Sequence, residues 1–221
     1  MKVPVVTQVL KANDQVALEN RAAFDAAGVY VVNIMASPGA GKTSLILQTT
    51  ARLPAGVRPA VIEGDIASTI DSDQIAARGI PVVQINTGGN CHLDAPMIRT
   101  ALPHLDLATV ELLFIENVGN LICPANYRLG ADLGLVVASV PEGHDKPYKY
   151  PGIFATADIV LLNKYDLAGA FEFDDAAFDR GVRLVNGKAP IVRVSCKTGE
   201  GLERWLELLL ARVPRPALAG R

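Results

Sequence analysis

One stretch near the amino terminus constrains the fold more than any other, and it reads VVNIMASPGAGKTS over residues 31–44. Its β-branched, apolar beginning predicts a buried strand, and its end is compatible with the start of a helix. The small residues of positions 36–41 let successive backbone N–H groups turn towards one anion at the positive end of the helix dipole. The sequence therefore predicts a strand, a phosphate-binding loop and a helix, in that order.

The residues that follow this loop have the chemistry of a nucleotide site. Lys42 can reach the β- and γ-phosphates, and the Thr43 hydroxyl can ligate the Mg²⁺ that bridges them. Ala36 occupies the position of the first glycine in the strict G-x-x-x-x-G-K-[ST] motif, a change of one methyl group. The alternative is an ordinary glycine-rich turn. We expect nucleotide contacts from Ser37, Pro38, Gly39, Ala40, Gly41, Lys42, Thr43 and Ser44.

Composition excludes several other classes of protein. Half of the 221 residues are apolar, the net charge is −2, and no long Lys/Arg block offers a basic face to nucleic acid. No apolar run reaches the ~18–20 residues of a membrane span, and Thr7 and Gln8 interrupt the start before a signal-peptide core develops. We therefore expect a cytoplasmic protein with no membrane contact. Three cysteines are too few for a disulfide framework, so free thiols are expected.

Short apolar runs rich in β-branched residues alternate with helix-compatible segments along the chain. This alternation predicts an α/β fold of the P-loop NTPase kind, a doubly wound, mostly parallel sheet with helices on both faces. We expect one domain, 1–221, with an amino-terminal helix at about 7–28. Further helices are predicted at 43–52, 68–78, about 94–102, 175–185 and 202–210, and further strands at 59–63, 81–85, 111–115, 133–140, 159–162 and 191–194.

The string NKYD at residues 163–166 follows the strand predicted at 159–162 and resembles the guanine-specificity motif of P-loop GTPases. The Asp166 carboxylate can accept hydrogen bonds from N1–H and the exocyclic amine of guanine, whereas adenine presents an acceptor at N1. The aliphatic stem of Lys164 can cover the flat base, and Asn163 can tie neighbouring loops together. The motif therefore favours GTP and GDP over adenine nucleotides.

A second string supports the guanine pocket from further along the chain. Ser195, Cys196 and Lys197 resemble the SAK element of the same GTPases, with cysteine in place of alanine. NKYD alone is also compatible with a polar turn at a strand end. Its order after a phosphate loop, with SCK downstream, favours a guanine site.

Two acidic residues at strand ends are candidates for holding Mg²⁺ or the attacking water. Glu116 ends an apolar strand, where a Walker-B acid would hold Mg²⁺ directly or through water, and Asp65 follows the strand at 59–63. Solvated carboxylates are the alternative in each case. With Lys42 they form the predicted catalytic set, and no residue can be assigned as a transition-state cation.

Longer strings beyond the phosphate loop resemble the HypB family of GTPases, which assist nickel insertion into [NiFe]-hydrogenase. They are EGDIAST, NTGGNCHLDAP, LLFIENVGNLICPANYRLG, PEGHDKPYKYP and NKYDL. The resemblance implies GTP hydrolysis, Mg²⁺ as cofactor and a GTP-promoted homodimer. It also implies two partners, a nickel-delivering accessory protein and a hydrogenase large subunit.

The family's metal ligands correspond here to Cys91, His92 and Cys123. Thiolate and imidazole are borderline-soft ligands that suit Ni²⁺ and Zn²⁺. Three ligands leave a four-coordinate site incomplete, so a site shared across a two-fold dimer axis is the economical hypothesis. Without the resemblance, the same residues would ordinarily be core packing and a capped histidine.

Three other functions are compatible with parts of the sequence. A urease-type nickel accessory GTPase is the nearest, but its metal motif typically has proline between cysteine and histidine, which are adjacent here. A P-loop small-molecule kinase would share the phosphate loop but has no use for NKYD. A metal-binding scaffold with a vestigial nucleotide pocket would bind the metal without hydrolysing GTP.

Overall fold

A computed structural model describes residues 9–213, which form one seven-stranded sheet covered by helices. The sheet order is β3-β2-β4-β1-β5-β6-β7, and every paired strand is parallel to its neighbour. The predicted doubly wound sheet is confirmed and is parallel throughout. The strands are β1 (Tyr30–Ala36), β2 (Pro59–Asp65), β3 (Val82–Asn86), β4 (Leu112–Glu116), β5 (Leu133–Ser139), β6 (Ile159–Asn163) and β7 (Ile191–Arg193).

Eight α-helices flank the sheet in the described range. They are α1 (Val9–Ala27), α2 (Lys42–Thr50), α3 (Ile70–Ala76), α4 (Ala95–Ala101), α5 (Lys146–Lys149), α6 (Pro151–Ala155), α7 (Asp175–Val185) and α8 (Leu202–Leu210). Alternation along β1 sends Val32 and Ile34 to a core shared with α2, α3 and α8, and Val31 and Met35 to cores under α1, α4, α6 and α7. The sheet is therefore buried on both faces, which is why its strands read as continuous apolar runs.

The predicted elements are present, with shifts at their ends. The amino-terminal helix begins within the described residues at Val9, and predicted positions 7 and 8 lie outside them. Three strands extend further than expected, so Asp65, Glu116 and Asn163 are the last residues of β2, β4 and β6, whereas the sequence placed Asp65 and Asn163 in the following loops. These polar residues pair in the ladder because parallel neighbours continue beside them.

Two short helices, α5 and α6, were not predicted. They span four and five residues and each has proline in its first turn. Such segments are too short to show helical periodicity, and proline read as a breaker also starts helices. No helix between residues 9 and 213 is long and apolar enough to cross a membrane.

The topology places a crevice at the carboxyl end of the central strand. β1 lies between β4 and β5, so the chain passes over it when it goes from one to the other. Ligands of open α/β sheets bind where strand order reverses, beyond the carboxyl ends of the strands. The phosphate loop follows β1 and therefore opens into this crevice.

Candidate functional site

The phosphate loop connects β1 to α2 and is shaped by two glycines. Gly39 and Gly41 have φ of 76° and 98°, which L side chains rarely adopt. A Cβ on Gly41 would also lie 2.5 Å from the Asn163 amide nitrogen. The Ser37 hydroxyl is buried without a hydrogen-bond partner among residues 9–213. A loop with a free donor at a helix amino terminus suits an anionic ligand.

Glu116 lies beside the residues predicted to bind phosphate and Mg²⁺. The Thr43 hydroxyl donates to its Oε1 at 2.9 Å, and the Lys42 ammonium lies 3.8 Å from the same atom. Burial raises the pKa of Glu116 to about 7, while Lys42 and the Thr43 hydrogen bond act in the opposite direction. Its Oε2 has no partner within the part of the chain that is described. A divalent cation with its water ligands would satisfy this atom, so the residues present fit Mg²⁺.

Asp65 lies at the same edge of the sheet and stabilises the turn that follows β2. Its Oδ1 accepts hydrogen bonds from the backbone N–H groups of Ser68 at 2.7 Å and Ala67 at 2.9 Å. These bonds lower the pKa of Asp65, so it is ionised at neutral pH. The carboxylate therefore fixes the turn after β2, at the edge of the sheet where Glu116 ends β4.

The predicted guanine motif lines a cavity of about 350 Å³ next to the phosphate loop. The Asn163 amide donates to Ala40 O at 2.9 Å, and its oxygen accepts from Cys196 N at 3.2 Å. The Lys164 ammonium donates to Gly39 O at 2.7 Å. Asn163 and Lys164 thus connect the cavity to the phosphate loop.

Asp166 is oriented by the SCK string. The Ser195 hydroxyl donates to Asp166 Oδ1 at 2.6 Å and accepts from Thr198 N at 3.1 Å. Lys197 lines the same cavity. Burial raises the pKa of the neighbouring Cys196 thiol to about 11, which keeps it protonated and a poor metal ligand. The carboxylate of Asp166 is therefore positioned before any base enters.

Cys91, His92 and Cys123 are brought together although 32 residues separate the two cysteines. The two Sγ atoms are 3.0 Å apart, Cys91 Sγ is 3.9 Å from His92 Nδ1, and each residue offers a ligand atom within 4.8 Å of the others. Burial lowers the pKa of His92, which favours the neutral imidazole that metals bind. The three ligand atoms are therefore close enough together to bind one metal ion.

A surrounding shell holds the cluster, and sequence reasoning missed it. The Tyr127 ring stacks on the His92 imidazole with centroids 3.9 Å apart. The Asn120 amide donates to Cys91 O at 3.1 Å. The buried Asn117 accepts from Leu93 N at 3.0 Å, which fixes the loop that carries the histidine. Outer contacts of this kind set the orientation of metal ligands.

Helix α1 clamps both segments that carry the cluster. The Asn13 side chain accepts from Ala95 N at 2.8 Å and donates to Arg128 O at 2.9 Å. Asn20, which is fully buried, donates to Ala95 O at 2.9 Å and to Leu129 O at 3.3 Å. These two asparagines lie on the same face of α1, two turns apart. They join the stretch after His92 to the stretch after Cys123.

The segment between Glu116 and Cys123 packs directly on the phosphate loop. The Asn120 N–H donates to Ala36 O at 2.8 Å. A Cβ on Gly119 would lie 2.9 Å from the Cα, N and Cγ of Pro38. The two backbones are therefore in close contact.

Replacing Gly119 by alanine should therefore weaken GDP binding. The added methyl meets backbone atoms of Pro38, which cannot rotate away. Overpacking of this kind costs ~1–3 kcal/mol, or about 5–150-fold in affinity if the nucleotide-bound loop bears the whole cost. Gly152→Ala is the matched control, because a Cβ there meets nothing within 4 Å. Calorimetric titration of both variants with GDP is the measurement. Equal affinity of Gly119→Ala and Gly152→Ala would contradict a tight contact between the two segments.

One polar residue of the crevice was not predicted at all. Glu63 lies inside β2, is only 2% exposed, and stands opposite Glu116 in the ladder. Burial raises the pKa of Glu63 to about 8, and the charges of Glu116 and Asp65 act in the same direction. A glutamate inside the apolar run PAVIEGD was the signal that could have identified it.

Comparison with known proteins identifies relatives over most of the chain. Residues 30–193 match the nucleotide-binding domain of the CobW/HypB/UreG family. The hydrogenase maturation factor HypB of Azotobacter vinelandii is 49% identical over 198 residues, which cover 90% of this chain and 65% of that protein. The chain thus spans somewhat less than two thirds of the length of that relative.

Two solved structures are similar along their whole length. The crystal structure of HypB from Helicobacter pylori in complex with nickel has a TM-score of 0.87 and 38% identity, and the match covers 91% of this chain and 94% of that one. The structure of hydrogenase maturation factor HypB from Archaeoglobus fulgidus has a TM-score of 0.86 and 39% identity, and the match covers 92% and 100%.

Proposed function

This chain belongs to the CobW/HypB/UreG family and within it to the hydrogenase maturation factors HypB, and on that premise we propose that it is a GTP-hydrolysing metallochaperone. Its cargo would be nickel, or zinc, and its task the insertion of nickel during [NiFe]-hydrogenase maturation. A nickel-delivering accessory protein and a hydrogenase large subunit would be its partners. The chain would act as a single P-loop GTPase domain.

The nucleotide half of this proposal rests on the pocket beside the phosphate loop. Asp166 supplies a carboxylate for the guanine edge, held by Ser195 at 2.6 Å. Lys42 and Thr43 face the predicted phosphate and Mg²⁺ positions and both contact Glu116. When bound, Mg²⁺ would neutralise charge that develops on the phosphates. Lys42 would position the γ-phosphate, Glu116 would hold Mg²⁺, and Asp65 would hold either Mg²⁺ or the attacking water.

The metal half rests on the two thiols and one imidazole. Their ligand atoms lie within 4.8 Å of one another, and their softness suits Ni²⁺ or Zn²⁺. Three protein ligands leave one coordination position open, which a second copy of the chain would fill across a two-fold axis. Cys91 is exposed, so a second copy could reach the cluster in a GTP-promoted homodimer.

A single observation supports coupling between the two halves, namely the packing of residues 117–123 on the phosphate loop through Asn120 N to Ala36 O at 2.8 Å. Loops that the γ-phosphate and its Mg²⁺ hold in place are released on hydrolysis in many nucleotide switches. Here a change in the phosphate loop would be transmitted to Cys123 through the backbone of residues 120–123. GTP hydrolysis would then time the hand-off of the metal.

The proposal is tested by titrating nickel and zinc into the protein with GDP or with a non-hydrolysable GTP analogue, while light scattering follows the mass. We expect metal affinity to differ between the two nucleotide states and the dimer to be favoured by the GTP analogue. Release of free phosphate from GTP tests the hydrolysis step. Identical metal affinity and mass in both states would refute the coupling.

A further inference from the structure

Glu63 is a buried acid whose surroundings give it no evident structural purpose. It is two residues before the end of β2, flanked by β3 and β4, and its Cα pairs with that of Glu116. Paired positions of parallel strands point to the same face, so both carboxylates lie under the amino-terminal end of α2, on the side of Val61 and Phe114. Two acids therefore share one buried position beside the phosphate loop.

Neither acid is fully satisfied by the protein. The Oε2 atoms of Glu63 and Glu116 are both buried without a hydrogen-bond partner among residues 9–213. Glu116 receives Thr43 and Lys42 on its other oxygen. A buried carboxylate that lacks donors is costly, and a second carboxylate beside it adds repulsion. A residue retained only for packing would be apolar, like its strand neighbours.

A positively charged group that binds beside Glu63 and Glu116 together with the nucleotide would explain why two acids are buried there. Lys42 contributes one positive charge, and it is also needed by the phosphates. Mg²⁺ binds oxygen ligands and usually keeps several of its waters, which are donors for carboxylates that do not touch the ion. The unpaired oxygens of Glu63 and Glu116 have the chemistry to accept from those waters.

We propose that Glu63 is a positioning residue for the Mg²⁺–nucleotide complex, which accepts a hydrogen bond from a water bound to the ion while Glu116 holds the ion or a second water. This inference rests on the nucleotide-binding function proposed above. It assigns to the glutamate of the EGD string a role distinct from that of Asp65, whose Oδ1 accepts two hydrogen bonds from the turn after β2.

The test is Glu63→Gln, which keeps the shape and removes the charge. In the GDP-bound protein, Mg²⁺ is titrated and followed by the fluorescence of N-methylanthraniloyl GDP, and thermal unfolding is recorded in chelator. We expect the Mg²⁺ concentration at half-saturation to rise by about 10-fold or more, as for lost outer-shell partners of metals. When Mg²⁺ and nucleotide are absent and the pH is above about 8, where both acids are ionised, we also expect the variant to melt at a higher temperature than the wild type, because the repulsion with Glu116 is relieved.

Glu111→Gln is the control, since Glu111 lies next to β4 at the opposite end of the sheet and pairs with Arg58. Its Mg²⁺ half-saturation should equal that of the wild type. An unchanged half-saturation in Glu63→Gln, or a lower melting temperature in chelator, would overturn the inference while leaving the proposed GTPase intact. A wild-type protein that binds no guanine nucleotide would instead overturn the proposed function.

Discussion

The Asp166→Ala protein is expected to bind GDP about 10²–10⁴-fold more weakly than the wild type. Its carboxylate would accept two hydrogen bonds from guanine, and bonds to a charged group are worth ~1.5–3 kcal/mol each. The Ser195 hydroxyl donates to one of its oxygens at 2.6 Å and so restricts the orientation of the carboxylate. Little of this binding energy is therefore spent on ordering the side chain.

Calorimetry of GDP, ADP and xanthosine diphosphate with the wild type, Asp166→Ala and Asp166→Asn provides the measurement. The amide of Asp166→Asn can donate where the base has a carbonyl, so this variant should lose GDP affinity and gain affinity for the xanthine nucleotide. Asp25→Ala on α1 is a control that removes an exposed carboxylate far from the pocket. Equal GDP affinity of wild type and Asp166→Ala would refute the assignment of the base pocket.

Local chemistry explains why the nucleotide half could be anticipated from the sequence. A phosphate loop needs small residues, two positive φ angles and a Lys-Thr pair in consecutive positions, so residues 36–43 contain nearly all of their own signal. The NKYD string is similarly self-contained. The elements around them follow from apolar runs that are buried on both faces of a parallel sheet.

The supporting residues could not be anticipated in the same way, because their partners are distant in the chain. Asn13 and Asn20 look like polar positions on an amphipathic helix, yet their partners are 75–115 residues away and Asn20 is fully buried. Asn117 and Tyr127 likewise act on loops that only the fold brings near. An asparagine in a helix predicts exposure by default, and nothing local distinguishes a clamp from a solvated side chain.

Asp65 and Glu63 show the same limit at a single strand end. The sequence favoured Asp65 because it follows an apolar run, and the structure reveals that its Oδ1 also accepts two backbone bonds. Glu63 lies inside the same strand, at a position where the sequence alone indicates packing. Burial without a partner is a property of the fold and has no signature in the residue itself.

Replacing Cys91 by alanine is expected to weaken nickel binding by more than about 100-fold. Loss of outer-shell partners alone costs ~10–100-fold in metal affinity, and Cys91 would be a direct ligand. Because this side chain is exposed, its removal should leave the fold and GDP affinity close to those of the wild type. Competition with a chromophoric chelator measures the nickel affinity. The thiolate-to-Ni²⁺ charge-transfer absorption shows directly whether a cysteine is a ligand.

Cys196→Ala is the matched control, since this thiol is partly buried at the cavity proposed to bind guanine and burial raises its pKa to about 11. It should keep the nickel affinity of the wild type. If Cys91, His92 and Cys123 form the cargo site, the metal affinity of Cys91→Ala should be the same in the GDP and GTP-analogue states. The variant should still bind both nucleotides. Wild-type nickel affinity in Cys91→Ala, or loss of nickel affinity in Cys196→Ala, would show that the cargo site lies elsewhere. The metal would then not be bound next to the segment that packs on the phosphate loop, and the proposed link between GTP hydrolysis and metal release would fail.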